Sequence, residues 1–245
     1  MIQVLNQQIS YEAPLIRFFL TPEQIRQKAV QALQNVGALP DSPQPVSIDY
    51  VVERYAELDY NNMLPKNIHG ATFFNKYGKP LIWIQASLAD NTSATEETYF
   101  RSVLAHETAH AILHNPSYIR YCEENACTGE DSGVCFRKDN LNKQIAKEST
   151  NNNGGQKWYE WQAAAFSAAL LMPAPLLQEV LISSVNELKK ATRIKDTHLP
   201  KFFEFKLIER LQHYFLVSRS MAKITAMNLI RENQLTINTA LRSKL

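Results

Sequence analysis

His106 and His110 stand four residues apart, with Glu107 beside the first, inside a run that has no proline or glycine from Ser93 to Asn115. This spacing constrains the fold, because on a helix residues four apart lie one above the other on one face. Two imidazoles so placed can converge on one zinc ion, with Glu107 alongside as a general base. The flanks agree with a helix over 96–114. Ser93 followed by Glu96 fits a capping box. Val103, Leu104, Ala111, Ile112 and Leu113 keep a helical spacing. A motif of three fixed residues in five recurs by chance, so its weight depends on a third ligand.

Two histidines and a water leave a tetrahedral zinc one ligand short. A third histidine six residues after His110 is excluded, since Pro116 stands there. His114 lies a further helical turn along, a rise of about 5.4 Å, too far to close on the same ion. A carboxylate from a second helix remains. The segment from Trp158 to Pro173 reads WYEWQAAAFSAALLMP, which is alanine-rich, helical and ended by its proline. Its one acid is Glu160, near the start. On pattern alone, Glu160 reads equally as the third ligand and as a first-turn acid complementing the helix dipole.

The pairing of Ala105-His106-Glu107-x-x-His110 with a later Glu160-x-x-Ala163-x-x-Phe166-x-Ala168-x-Leu170-Leu171-Met172-Pro173 resembles the ImmA/IrrE family of metallopeptidases. The likeness extends upstream through Leu81-Ile82-Trp83-Ile84 to His69-Gly70 and covers roughly residues 45–180. It implies that His106, His110 and Glu160 bind zinc and that Glu107 is the catalytic base. It further implies a regulatory endopeptidase that cuts a helix-turn-helix repressor and so relieves repression of stress or mobile-element genes. The chain departs from the family in having Thr108-Ala109 where Leu-Gly is common, and Ala164 where Asn is common. Neither change removes a ligand. The segment between the two motifs, from Asn115 to Lys157, is long and polar, and it holds all three cysteines.

Those cysteines, Cys122, Cys127 and Cys135, follow no secretory signal. The early apolar run from Pro14 to Leu20 is short and broken by Arg17, and no stretch is long enough to span a membrane. A cytoplasmic protein with reduced thiols is expected. A second, structural zinc at Cys122, Cys127 and Cys135, completed by His114 or Asp131, is one reading. A redox sensor and three free thiols are the others, and the spacing matches no standard zinc pattern.

The expected fold class is α+β: a mostly helical, zincin-like core with a small sheet, followed by a helix-turn-helix-like C-terminal segment. Three parts are expected: an N-terminal helical segment at 1–45, the metallopeptidase domain at 46–180 and C-terminal helices at 181–245. Helices are predicted over 21–38 and 47–58, and further ones after Pro173. A hairpin is predicted from His69–Phe74 and Pro80–Ala86, and the strand beside the zinc helix is expected to offer an open edge to substrate backbone. His69 and His114 are candidates for stabilising the oxyanion. From Asn186 onward the chain has 12 Lys and Arg against 5 Asp and Glu, a net +7, although the whole chain is only +2. This asymmetry admits DNA as a partner. The basic residues are scattered rather than aligned, so a protein substrate ranks first. The alternative to a peptidase is a non-catalytic, zinc-stabilised module that binds DNA or a partner protein through its C-terminal helices.

Overall fold

The computed structural model describes residues 18–65, 67–90, 93–125, 134–138, 156–190, 199–233 and 237. Helix α1 (Pro22–Asn35) begins where the sequence places it. Thr21 and Gln24 form a capping box and Pro22 takes the first helical position. Ile25, Ala29, Ala32 and Leu33 form its buried stripe. Gly37, at φ +68°, closes the helix, with Ala38 N–H reaching back to the Leu33 carbonyl at 2.9 Å.

Helix α2 (Ile48–Tyr55) is shorter than the predicted 47–58. The backbone turns extended at Ala56, and Glu57–Asn61 forms strand β1. The predicted hairpin is present as β2 (Ile68–Phe73) and β3 (Leu81–Gln85), paired antiparallel with Ala71 opposite Trp83. Strand β1 runs parallel to β3. Strand β4 (Val134–Lys138), within the long polar segment between the two motifs, runs antiparallel to β2. The sheet order is β1-β3-β2-β4. Side chains of β3 alternate: Ile82 and Ile84 enter the main core, while Trp83 joins Leu64, Ile68 and Ala71 on the other face.

Helix α3 (Ala94–Leu113) carries the histidine motif and is capped by Ser93 and Glu96 as predicted. It is buried almost all round from Phe100 to Ala111, which marks it as the central helix. Pro116 does not end the helical path. It sits in the first turn of α4 (Asn115–Glu124), so the polar segment between the motifs starts with a helix. Helix α5 (Gln156–Leu171) packs along α3 and brings its Glu160 to the motif; α1 packs on α5. Helices α6 (Ala174–Lys190), α7 (Leu199–Phe215) and α8 (Arg219–Glu232) follow. Leu216, Val217 and Ser218 join α7 to α8, with Ser218 capping α8.

The chain is thus α+β and mostly helical, with a small mixed sheet, as expected. One core cluster runs from Ile25 to Ile237 and draws on all three predicted segments. No single described helix is long and apolar enough to cross a membrane.

Candidate metal centre

The site lies where the middle of α3 meets the first turns of α5 and the inner face of β2. Positions 106 and 110 lie one turn apart on α3, and α5 delivers Glu160 from the opposite side. His106 Nε2 is 3.0 Å from Glu160 Oε2, His110 Nε2 is 3.5 Å from Glu160 Oε1, and the two Nε2 atoms are 3.2 Å apart. All three side chains are buried, and their ligand atoms lie within 4.8 Å of one another. Two imidazoles and one carboxylate converging in this way can hold a metal ion, and the donor set is one that zinc accepts. Burial alone would raise the pKa of the Glu160 carboxyl. The neighbouring imidazoles of His110 and His106 outweigh it and hold Glu160 below the usual carboxylate range. An acid kept ionised while facing two imidazole nitrogens fits a ligand better than a helix-dipole partner.

Glu107 has no exposed surface and points to β2 rather than α5. The Thr72 hydroxyl contacts both its Oε2 at 2.7 Å and its backbone carbonyl at 3.1 Å. Gly70 lies under the same side chain. A Cβ there would meet Glu107 Cγ at 2.8 Å, and Glu107 Oε1 and Val103 Cγ1 at 2.9 Å each. The glycine thus makes room for the carboxylate, and Thr72 orients it. Neither role was read from the sequence. A Gly-x-Thr on a strand carries no signal until that strand is known to face the helix.

The other candidates fare differently. His114 is fully buried and lies behind His110, with its Nδ1 at 2.8 Å from His110 Nδ1 and its Nε2 at 3.2 Å from Gln162 Oε1. Both ring nitrogens are engaged away from the His106 and His110 Nε2 atoms that face Glu160, so His114 stands behind the site and not where an oxyanion donor would be needed. Burial and the neighbouring His110 push its pKa down to about 3. His69 is half-buried and bonded through Nδ1 to the Tyr99 hydroxyl at 2.5 Å. Cys122 packs with Phe74 and Tyr118 in a small apolar cluster. Cys127 and the Cys135 side chain lie outside the described residues, as does Asp131, so the second-zinc reading does too.

The expected substrate edge also changes. Strand β2, the one beside Glu107, is paired on both sides, to β3 and to β4. The sheet edge on that side belongs to β4.

No family model matches this chain, and neither a curated protein nor a solved structure does.

Proposed function

We propose that this chain is a zinc-dependent endopeptidase that hydrolyses a peptide bond in a specific regulatory protein, in the manner of the ImmA/IrrE metallopeptidases it resembles. The observation that carries the reading is the joint placement of two groups. A buried His106, His110 and Glu160 set can take a metal, and next to it Glu107 is braced by Thr72 over Gly70. A purely structural zinc site is normally closed by four protein ligands, whereas the three that converge among the described residues leave the open position that hydrolysis requires. Zinc held there would supply a water whose pKa is lowered to about 7 and would polarise the scissile carbonyl. Glu107 accepts the proton released on attack and passes it to the departing amine. Thr72 keeps the carboxylate from rotating away between the two transfers.

By analogy with the resembled family, the substrate is a small helix-turn-helix repressor in the cytoplasm. The test mixes the purified chain, Zn²⁺ or Mn²⁺ and such a repressor encoded beside it. A single cut by the wild type and none by Glu107→Gln is expected. Equal biological activity of Glu107→Gln and wild type would overturn the peptidase reading. The zinc-stabilised binding module would then stand in its place.

A further inference from the structure

The groups behind His110 take no part in the proposed reaction, yet they form a continuous chain. His110 Nδ1 meets His114 Nδ1 at 2.8 Å, His114 Nε2 meets Gln162 Oε1 at 3.2 Å, and Gln162 Nε2 reaches the Phe18 carbonyl at 3.5 Å. His110, His114 and Gln162 have no exposed surface. A buried polar group keeps its partner or loses stability, so the direction of each bond matters. Two ring nitrogens can bond only if one carries the hydrogen and the other the lone pair. The amide of Gln162 decides which. Its NH2 donates to the Phe18 carbonyl, which its oxygen could not do, so its oxygen faces His114 and accepts from His114 Nε2–H. His114 Nδ1 is then an acceptor. His110 donates Nδ1–H to it and keeps its lone pair on Nε2, the nitrogen aimed at His106 and Glu160. Phe18 and Tyr159 flank the His114 ring, with centroids at 6.1 and 5.2 Å, and leave it little room to turn.

We infer that His114 and Gln162 are positioning residues that fix the tautomer and ring plane of His110 for metal binding. This rests on His106, His110 and Glu160 being the ligands. A liganding histidine most often donates its other N–H to a carboxylate, a carbonyl or water. Here an uncharged second imidazole, itself set by an amide, fills that place. The acceptor therefore adds no negative charge behind the ligand.

The test uses the full-length chain and zinc competition against a chromophoric chelator, with folding checked by circular dichroism. His114→Leu removes the acceptor, and Gln162→Leu releases the His114 tautomer. Each should weaken zinc binding by about 10–100-fold. In His114→Asn the amide oxygen can stand where Nδ1 stood, and affinity should stay within about threefold of wild type. In the zinc-loaded wild type labelled with ¹⁵N at histidine, a nitrogen–nitrogen coupling across the bond between His110 and His114 should appear. If the wild type takes no zinc, the ligand reading itself fails. If it takes zinc and both leucine variants bind equally well, the ligands stand and the positioning role is overturned. Equal loss in His114→Leu and His114→Asn marks a packing role and overturns it as well, as does absence of the coupling. Should His114→Leu fail to fold, Gln162→Leu and the coupling decide.

Discussion

The contact between Gly70 and Glu107 is the tightest constraint on any single residue at this site. A methyl group at position 70 would press on Glu107 Cγ and Oε1 and on Val103 Cγ1 at once, all within 2.9 Å. Val103 has no exposed surface and cannot yield outward, so the carboxylate must shift. Gly70→Ala should therefore cost about 1–3 kcal/mol in stability, the usual range for overpacking a filled core. It should also displace the proposed base while leaving His106, His110 and Glu160 in place. Zinc content measured by atomic absorption should match wild type, and the rate of repressor cleavage should fall by up to about 10²–10⁴-fold, the scale of general-base catalysis. Loss of zinc along with activity would mean that Gly70 supports the ligand set rather than Glu107. At this scale the sequence pointed to the residues that converge and was silent about their supports. Histidine, glutamate and spacing carry chemistry on their face. Gly70, Thr72 and Gln162 acquire a role only when β2 and α5 come against α3, and sequence separations of 35 for Thr72–Glu107 and 48 for His114–Gln162 hide that.

At the scale of elements, the helices were legible because their ends and faces are written locally. Thr21 with Gln24 and Ser93 with Glu96 are reciprocal caps, and α1 and α3 start at them. The strands were legible only where burial forced a pattern. LIWIQ in β3 is apolar and central, while ELDYN in β1 is a polar edge strand whose signal was absorbed into the preceding helix. Strand β4 lies in a stretch whose composition suggests only a loop. The cap on α3 is also where an element-scale prediction applies. Its Ser93 hydroxyl accepts from Glu96 N–H at 3.2 Å, and Glu96 Oε2 accepts from Ser93 N–H at 3.0 Å. Ser93→Ala removes one half of that exchange, and urea unfolding should show a loss of about 0.5–2 kcal/mol. The cap lies more than three turns from His106, so zinc affinity in the folded protein should be unchanged. A coupled drop in affinity would show that fraying at the start of α3 reaches the ligands.

For the whole molecule, the three candidate ligands join parts of the chain that are distant in sequence. His106 and Glu160 are 54 residues apart, and the segment that connects them contributes α4 and β4. Without metal, α3 and α5 are held together by apolar contacts through Leu104, Ala163, Phe166 and Leu170, and by the hydrogen bond between Glu160 and His106. That core extends from α1 to α8, so the fold does not depend on the ion as a small zinc module would. Metal should therefore add to stability rather than create it. Binding to the folded chain alone contributes RT ln(1 + [L]/Kd), about 2.7 kcal/mol at a hundredfold excess over Kd. Thermal melting should show a cooperative transition in excess chelator and a higher midpoint with zinc. Glu160→Ala should abolish that shift, because a missing ligand costs more affinity than the 10–100-fold typical of changes to the groups that orient ligands. An unchanged zinc-dependent shift in Glu160→Ala would place the third ligand elsewhere. A chain that unfolds outright in chelator would assign zinc a structural role, and the non-catalytic module would then explain the site better than a peptidase does.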